Sequence, residues 1–319
     1  MSLTCASFFA GVGGIDKGFE LAGFQTIYAN EFDENAAKTF RANNPNVKLD
    51  VCDIRTLDEY KDIPDFDIML AGFPCQAFSI AGYQQGFDDE KGRGNLFFEL
   101  MRIIRAKKPQ IVFLENVKNL VAHDNGNTFQ VICDSLEKEG YHVKSMVLNA
   151  CNYGNIPQTR ERIYIVCFKD IEQYRKFEFP KPIKLTNTLH DVVDFANEVD
   201  SKFYYTESCS FYDELKNNMI RTDTCYQWRR VYVRENKSNL CPTLTANMGT
   251  GGHNVPLIRT FDGRFRKLTP RECFNLQGFP KDFVLPKELC MGALYKQAGN
   301  SVVVSVIHRL AEQIKVAIE

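Results

Sequence analysis

Strand-like and helix-like segments alternate along the first half of this 319-residue chain, and this alternation constrains its fold more than any other feature. Short apolar runs predict strands, and the segments with apolar residues at helical spacing predict helices. The predicted strands are Thr4–Phe9, Phe24–Ala29, Phe66–Ala71, Ile111–Leu114, Val143–Leu148 and Arg162–Phe168. The predicted helices are Ile15–Ala22, Glu34–Arg41, Leu96–Ala106 and Phe129–Glu139. This pattern predicts an α/β fold with a doubly wound, mostly parallel sheet, in which ligands bind at the carboxyl ends of the strands.

The pattern changes after Phe179-Pro180-Lys181-Pro182. From there to about Arg266 the apolar periodicity is weak, and Gly, Asn, Thr and aromatic residues dominate. This composition predicts a smaller, loop-rich domain with short strands. Helical spacing returns after Thr269-Pro270 and is clearest in Ser301–Ile318, which predicts an amphipathic helix. We therefore expect one domain of residues 1–179 plus 285–319 and a second domain of residues 180–284.

Composition excludes several classes of protein. With 44% hydrophobic and 25% charged residues the chain is typical of a folded protein, and no run of 18 uncharged apolar residues predicts a membrane-spanning helix. The segment Met1–Cys5 lacks the basic start of a signal peptide. The eleven cysteines form no Cys-x-x-Cys pair and the five histidines are scattered. We therefore expect a reduced, cytoplasmic protein without a metal site.

Charge is unevenly distributed along the chain. Eleven Lys and Arg residues lie between Lys216 and Arg271, opposed there by three acidic residues, which gives this basic window a net charge of +8. The whole chain carries −1, so the remainder carries −9. A local basic region on an acidic protein predicts that a polyanion faces it, although a solvated charged surface is an equally good explanation of the charge alone.

A glycine-rich loop, Phe9-Ala10-Gly11-Val12-Gly13-Gly14, joins the first predicted strand to the first predicted helix. Glycines let the backbone approach a ligand closely and leave the helix N-terminus open. Glu31 ends the next strand, where a carboxylate can accept both ribose hydroxyls of a nucleoside, and Phe32 beside it offers a stacking face for adenine. Asp53-Ile54 follows a further strand-like segment, where a carboxylate can accept from the adenine amino group. Many strand–helix turns carry glycines without a ligand, but the added carboxylates favour a nucleoside cofactor.

A cysteine lies at the carboxyl end of a predicted central strand. Gly72-Phe73-Pro74-Cys75-Gln76-Ala77-Phe78-Ser79 directly follows Phe66–Ala71, so a proline-stiffened turn presents Cys75 where a nucleophile would be presented. An ordinary cysteine is a small buried hydrophobic residue, and this setting is what favours the chemical role.

Two further segments carry charged residues at strand ends. Glu115 follows the apolar strand Ile111–Leu114, so desolvation is expected to raise its carboxyl pKa toward neutrality, as general acid chemistry requires. A surface glutamate that caps the following helix is the alternative. Arg160 and Arg162, in Gln158-Thr159-Arg160-Glu161-Arg162, suit a phosphate and a carbonyl oxygen, or equally a surface salt bridge.

Together these segments resemble the DNA cytosine-5 methyltransferase family, in its bacterial or phage restriction-modification form. The resemblance covers essentially the whole chain, and six motifs occur in the family's order. They are Phe9–Gly14, Pro74-Cys75-Gln76, Glu115-Asn116-Val117, Gln158-x-Arg160-x-Arg162, Arg271-Glu272-Cys273 with Gln277-Gly278-Phe279-Pro280, and Gly299-Asn300-Ser301-Val302. The resemblance implies a Rossmann-like catalytic domain and a target recognition domain in residues 180–284, where the basic window also lies.

The resemblance implies S-adenosylmethionine as cofactor, S-adenosylhomocysteine as product, no metal, and double-stranded DNA as substrate. The residues expected at the cofactor are Phe9, Ala10, Gly11, Gly13, Gly14, Glu31, Phe32, Asp53, Ile54, Pro74, Leu96, Asn300, Ser301 and Val302. The residues expected at the DNA are Gln76, Ser79, Arg93, Gln227, Arg229, Arg230, Thr243 and Thr245. A monomer on DNA is implied, as is a cognate restriction endonuclease in the same host, without direct contact between the two.

In the implied mechanism Cys75 adds to carbon-6 of cytosine, which makes carbon-5 nucleophilic, while Glu115 hydrogen-bonds or protonates ring nitrogen-3. Arg162 is expected at the base carbonyl and Arg160 at a backbone phosphate. The base must leave the duplex to be reached, and the glycine-rich loop Ser79–Gly94 is expected to close over it. The final loss of the carbon-5 proton is assigned to no residue, and a water is the expected base.

The recognition domain contains two further resemblances. Gln227-Trp228-Arg229-Arg230-Val231-Tyr232 resembles a segment that fills the emptied base stack with a Gln and reads guanine with an Arg. We expect Gln227 and Arg230 in these roles, with non-specific phosphate contact by the arginines as the alternative. Thr243-Leu244-Thr245 resembles an element whose Thr touches a phosphate. A short, GC-rich recognition site, with CG as one form, is the expectation.

Three other functions compete with this interpretation. A tRNA cytosine-5 methyltransferase shares the catalytic core, but such relatives typically carry a second proline before the cysteine, where this chain has Phe73, and a Cys-Phe-Thr element that it lacks. A catalytically dead DNA-binding homologue is opposed by the retention of Cys75, Glu115, Arg160 and Arg162. A nucleotide-binding oxidoreductase would give the Pro-Cys-Gln and Glu-Asn-Val motifs no role.

Overall fold

The computed structural model describes residues 3–74, 96–250 and 254–319. The chain divides into two compact units. The first unit comprises Met1–Leu148, Glu161–Pro180 and Ile307–Glu319, and the second comprises Asn149–Arg160 and Lys181–Val306. By packing, residues 149–160 and 285–306 therefore group with the second unit. The division into catalytic and recognition domains concerns function rather than compactness, and it stays a prediction.

The first unit is built on a seven-stranded sheet. Its strands are β1 (Thr4–Phe8), β2 (Gln25–Glu31), β3 (Lys48–Val51), β4 (Ile68–Gly72), β5 (Ile111–Val117), β6 (His142–Asn149) and β7 (Glu161–Phe168). They lie in the order β3-β2-β1-β4-β5-β7-β6. Strands β1 to β5 pair in parallel, and β7 runs antiparallel to β5. The predicted doubly wound, mostly parallel α/β fold is confirmed.

Within the described residues of the first unit, four helices connect the strands of this sheet. They are α1 (Gly14–Leu21), α2 (Glu34–Asn43), α3 (Leu96–Lys107) and α4 (Asn127–Lys138). Two short ones follow, α5 (Ala150–Tyr153) and α6 (Ile171–Lys176). The central strands are buried on both faces, which explains why Ile68–Ala71 and Ile111–Leu114 are continuous apolar runs. Asp33 begins α2 because its carboxylate accepts the backbone N–H groups of Asn35 and Ala36, at 2.9 and 3.2 Å.

The second unit contains a five-stranded antiparallel sheet of two- and three-residue strands. The strands are β8 (Tyr204–Tyr205), β9 (Tyr226–Trp228), β10 (Val233–Glu235), β11 (Leu257–Arg259) and β12 (Phe265–Lys267), in the order β10-β9-β11-β12-β8. Helix α7 (Tyr212–Asn218) contributes Leu215 to the apolar cluster that buries Tyr226 and Leu257. The short strands expected from the loop-rich composition are present.

Three more helices complete the chain: α8 (Pro270–Leu276), α9 (Met291–Asn300) and α10 (Val304–Ile318). Thr269 and Glu272 form a reciprocal capping box at the start of α8. Glu272 also pairs with the fully buried guanidinium of Arg266, at 2.7 Å. Because both partners are buried, removing either one would leave an uncompensated charge.

Helix α9 lies in backbone contact with the segment Thr245–Gly249. A Cβ added to Gly299 would stand 2.2 Å from the carbonyl carbon of Thr245, and one added to Gly249 would stand 2.3 Å from the carbonyl oxygen of Gly292. Since real Cβ atoms do not approach this closely, glycine is required at both positions. The segment that carries Thr245 is thereby held against the helix.

Helix α1 makes a similarly close contact with α10 inside the first unit. A Cβ on Gly18 would lie 2.4 Å from Cγ2 of Ile307. Gly18→Ala should therefore lower the free energy of unfolding by about 1–3 kcal/mol, because the added methyl overpacks this contact. Urea denaturation measures the change. Leu21→Ala, on the same helix at a position 54% exposed, is the control and should stay within about 0.5 kcal/mol of the parent. Equal stability of the two variants would show that the contact adjusts freely.

Candidate functional site

The glycine-rich loop follows β1 and leads into α1. Gly11 has φ +57° and Gly13, the N-cap of α1, has φ +84°, conformations that favour glycine. A Cβ on Gly13 would press on Asn44 and Phe40 at 3.0–3.2 Å, so Gly13 serves the packing. A Cβ on Gly11 would meet nothing within 4 Å. The backbone at Gly11 therefore borders open space, as the approach of a ligand requires.

Glu31, at the end of β2, ties this loop to the next strand. One carboxylate oxygen accepts the backbone N–H of Gly11 at 2.7 Å, and the other accepts that of Asp33 at 2.7 Å. Each carboxylate oxygen has two acceptor sites, so both retain capacity for a hydroxyl. Phe32 beside it is 71% exposed, so its ring face is open to a stacking partner. The arrangement fits a ribose and an adenine ring.

Asp53 has a partner that the sequence did not predict. Its carboxylate accepts the Arg55 backbone N–H at 3.0 Å and the Arg55 Nε–H at 2.9 Å, and this neighbour lowers the carboxyl pKa. Ile54 is buried in the core of the first unit. An adenine amino group would have to share the Asp53 carboxylate with Arg55, so the adenine contact stays a prediction.

Glu115 and Arg162 meet at the carboxyl end of β5. Glu115 pairs with Gly72 across β4 and β5, and a Cβ at Gly72 would lie 3.5 Å from Oε2 of Glu115. The Nε of Arg162, on β7, lies 3.1 Å from Oε1 of Glu115, with side chains 15% and 11% exposed. The guanidinium favours the ionised carboxylate and so opposes the desolvation from which the sequence predicts a raised pKa. That raised pKa stays a prediction.

Asn116 is a residue to which the sequence assigned no role. It is buried, and its Nδ2 donates to the carbonyl oxygen of Phe73 at 2.9 Å. Its own Oδ1 accepts the N–H of Val117 at 2.8 Å. Phe73 precedes Cys75 by two positions, so Asn116 fixes the chain just before the predicted nucleophile. The sequence signal for this role of Asn116 was its position directly after an acidic residue at the end of a buried strand.

The predicted phosphate contact of Arg160 is corrected by the structure. The Arg160 side chain is only 3% exposed, and its guanidinium donates to three backbone carbonyl groups. They belong to Leu244 at 2.8 Å, Gly299 at 3.2 Å and Ser301. Both Nη groups of this buried cation already donate to carbonyl oxygens inside the unit, so the guanidinium is not presented to a DNA phosphate. Arg160 holds three segments of the second unit together.

Gln158 supports the same segments. Its Nε2 donates to the carbonyl of Leu276 at 2.7 Å, and its Oε1 accepts the N–H of Leu244 at 3.1 Å. Leu244 lies between Thr243 and Thr245, so Gln158 and Arg160 together fix the backbone that presents both hydroxyls. The sequence placed Gln158 in a motif without giving it this role.

The hairpin formed by β9 and β10 carries the other predicted DNA contacts. Gln227 accepts from Arg229, with its Oε1 3.0 Å from Nη2. Arg230 lies at the exposed tip with φ +66°, an uncommon conformation for a residue other than glycine. Gln227, Arg229, Thr243 and Thr245 line one groove of about 450 Å³ in the second unit, and Arg230 does not.

Several predicted residues cannot be placed together. Cys75, Gln76, Ser79 and Arg93, with the loop Ser79–Gly94, lie outside the described residues. Pro74 is exposed at the end of its strand segment, and Leu96 is half-buried at the start of α3. Asn300 is exposed, and Ser301 and Val302 are buried, all in the second unit. Their role toward a cofactor stays a prediction.

The structure also describes the cysteines and acidic groups relevant to a metal. Ten cysteines within residues 3–74, 96–250 and 254–319 are free thiols. Over the same ranges, His, Cys, Asp and Glu side chains form no group of three suited to hold a metal ion.

None of the helices in the described part of the chain is long and apolar enough to cross a membrane.

Asp16, in the first turn of α1, is a buried acid beside the glycine-rich loop. Its carboxylate accepts from the Ser7 hydroxyl at 3.0 Å, and burial raises its pKa to about 6 from an ordinary 3.8. The folded state therefore binds this proton more tightly than the unfolded state does. Stability contributed by the neutral form is lost as the pH rises from about 4 to about 6, and the full cost of the buried charge is present at pH 7.

Asp16→Asn should raise stability at pH 7.5 by on the order of 2 kcal/mol, because the amide keeps the acceptor for Ser7 without a buried charge. The gain should shrink as the pH is lowered toward 5. Thermal unfolding followed from pH 5 to pH 8 tests this. Asp213→Asn, at an exposed position of α7, is the control and should show little change at any pH. A gain that is the same at every pH would contradict the assignment to Asp16 ionisation.

Relatives of known class resemble the chain over nearly its whole length. It is 63% identical over 314 residues to the Type II methyltransferase M.Bsp6I of Bacillus sp. (strain RFL6). The aligned region covers 98% of each chain. It is 38% identical over 318 residues to the Type II methyltransferase M.HhaI of Haemophilus parahaemolyticus. The aligned region covers 96% of this chain and 92% of that relative.

Solved structures share the fold at lower identity. A DNMT2 variant of Spodoptera frugiperda superimposes with a TM-score of 0.74 at 19% identity and full coverage of both chains. The Dnmt2 methyltransferase of S. pombe gives a TM-score of 0.72 at 18% identity, covering 98% of each chain. These similarities establish the fold alone.

The family assignment rests on the match of the whole chain. The family described as C-5 cytosine-specific DNA methylase matches residues 3–316. This match and the 63% identity to a Type II methyltransferase confirm the resemblance drawn from the six motifs. The chain therefore belongs to the C-5 cytosine-specific DNA methylases and is a DNA cytosine-5 methyltransferase.

Proposed function

We propose that this enzyme methylates cytosine at one short sequence in double-stranded DNA and is the modification enzyme of a restriction-modification system. The observation that carries the proposal is the 63% identity, over 98% of both chains, to a Type II methyltransferase. We propose further that it acts as a monomer in the cytoplasm of a bacterial or phage-infected cell. A cognate endonuclease would cleave the same sequence without contacting the methyltransferase.

The residues of the first unit fit S-adenosylmethionine, which supplies an electrophilic methyl group when bound. The open space at Gly11, the partly used carboxylate of Glu31 and the exposed ring of Phe32 are the observations that support the fit. Glu31 would accept the ribose hydroxyls, and Phe32 would stack on the adenine. The helix N-terminus after Gly13 faces the same loop and favours a polar ligand there.

The proposed chemistry begins at Cys75. Its thiolate attacks carbon-6 of a cytosine that has left the duplex, and the new S–C bond moves electron density to carbon-5, which then takes the methyl group. The carbon-5 proton then leaves to a water, and the electron pair of that C–H bond expels the Cys75 thiolate. Asn116, through its hydrogen bond to Phe73, positions the turn that precedes Cys75.

Glu115 and Arg162 would act on the ring itself. The carboxyl of Glu115 faces ring nitrogen-3 and stabilises the charge that develops there when Cys75 adds. Arg162 holds Glu115 by their ion pair and can also donate to the base carbonyl, because its guanidinium has five donors. Arg160 is given no part in this step, since its two Nη groups donate to backbone carbonyls inside the second unit.

Transfer of labelled methyl to unmethylated genomic DNA and, in parallel, to tRNA tests the proposed substrate, with sequencing of the methylated cytosines. Label at one short repeated DNA sequence is the expected result and also reveals the recognition site. Label in tRNA alone would refute the proposal.

The same assay tests Cys75→Ala, which should abolish methylation while DNA binding persists, because the variant loses the nucleophile and keeps the recognition unit. Retained turnover would reject Cys75 as the nucleophile.

Asn116→Ala tests the positioning of the nucleophile. We expect kcat to fall by about 10- to 100-fold, with little change in the Kd for DNA, because the turn before Cys75 loses its buried anchor. The control is Lys118→Ala, two positions after Asn116. It removes an exposed ion pair with Glu161 and should leave kcat within about twofold of the wild-type value. Loss of DNA binding in parallel with kcat would indicate a purely structural role for Asn116.

A further inference from the structure

Most arginines of the basic window are engaged inside the second unit. Those that donate to carboxylates or carbonyl groups of the protein are Arg221, Arg259, Arg264, Arg266 and Arg271. Arg229 donates to Gln227. Within residues 3–74, 96–250 and 254–319, the guanidinium groups of Arg230 and Arg234 make no hydrogen bond or ion pair. The two arginines of the window that the described residues do not engage therefore both lie on one hairpin.

The strand register separates these two arginines. Arg234 of β10 lies directly opposite Gln227 of β9 in the antiparallel pair, so their side chains share one face of the hairpin. The opposite face carries Tyr226 and Val233, which are buried in the apolar cluster of the sheet. Trp228 stacks on Phe211 at 4.3 Å and stiffens the base of the hairpin. Arg234 thus projects from a rigid support, whereas Arg230 lies at the tip.

The groove that Arg234 lines has the composition of a site that reads base edges. Arg229 and Arg234 supply guanidinium donors, and Gln227, Asn247 and Asn254 supply amide groups with both donors and acceptors. Among the described lining residues there is no carboxylate to neutralise the arginines. The hairpin is also the edge of its sheet, and a two-stranded ribbon fits the major groove of B-form DNA.

We propose that Arg234, rather than Arg230, reads a guanine of the recognition sequence through its O6 and N7 atoms. The inference rests on the proposed function, because it assumes that duplex DNA occupies this groove. A guanidinium that projects from a paired strand into a polar groove, with its donors unused by the described residues, can make a bidentate contact. Arg230, exposed at the tip and outside the groove, makes a phosphate contact that carries no sequence information.

Duplexes in which each guanine of the recognition site is replaced in turn by 7-deazaguanine test the assignment, because this analogue lacks the N7 acceptor. The site is first read from the wild-type enzyme by sequencing methylated cytosines. Wild-type kcat/KM should fall about tenfold at one substituted guanine. Arg234→Gln should be about 10- to 100-fold slower on the natural site and should no longer distinguish guanine from 7-deazaguanine at that position.

Two variants give the comparison its controls. Arg230→Gln should lower kcat/KM by a similar factor on every duplex, weaken its salt dependence, and keep the tenfold discrimination. Lys176→Ala removes an exposed charge of the first unit, outside the basic window, and should leave kcat/KM unchanged. Thermal unfolding and binding of S-adenosylhomocysteine verify that each variant is folded.

The possible results separate cleanly. Discrimination that survives in Arg234→Gln, or that disappears in Arg230→Gln instead, would overturn the assignment. A wild-type enzyme indifferent to 7-deazaguanine at every position would overturn it as well. Failure of the wild-type enzyme to methylate duplex DNA at all would instead refute the proposed function.

Discussion

The buried guanidinium of Arg160 is the interaction on which the second unit depends. A cation removed from water must be satisfied by the protein, and here the carbonyl groups of Leu244, Gly299 and Ser301 converge on it. A buried polar group that loses its hydrogen-bond partner costs about 1–3 kcal/mol, and a charged group costs more. Gln158 adds Leu276 to the same assembly. Segments far apart in the sequence are therefore bound to the same guanidinium. This contact also fixes the backbone position of Thr243 and Thr245 on either side of Leu244.

In the first unit, the sheet topology brings the candidate functional groups together at the carboxyl ends of the parallel strands. The strand order β3-β2-β1-β4-β5 reverses direction between β1 and β4, the point where open α/β sheets leave a crevice. The glycine-rich loop and Glu31 lie at the ends of β1 and β2, on one side of the reversal. Gly72 and Glu115 lie at the ends of β4 and β5, on the other. The topology itself thus separates the groups proposed to bind the cofactor from those proposed to act in catalysis.

The fold of the first unit could be predicted because its physical determinants are local. Strands buried on both faces must be apolar at every position, as Ile111–Leu114 is, and such a run is visible without a structure. The strands of the second unit are two or three residues long and leave no such signal, so only their loop-rich setting was predictable.

The site was predictable in its residue types and less so in their partners. Arg160 looked like a ligand for phosphate because its carbonyl partners lie 84 to 141 positions away in the chain. The Arg162–Glu115 ion pair likewise arises from the antiparallel placement of β7 beside β5, which no local pattern specifies. The Asp53–Arg55 pair, although local, is a choice of side-chain conformation that the sequence leaves open. Motifs therefore identified candidates, and long-range packing decided what each could touch.

Gly299 of α9 and Gly249 of the facing segment give one wall of the groove a tighter constraint on its residues than the hairpin wall has. Gly299 and Gly249 leave no room for a side chain between the helix and the segment that carries Thr245, so that wall of the groove admits no variation in size or position. The hairpin wall has no such constraint, because Gln227 and Arg234 project from strands whose other face alone is buried. The side chains proposed to read the DNA can therefore be exchanged on the hairpin while the opposite wall, and the stability it represents, stays unaltered.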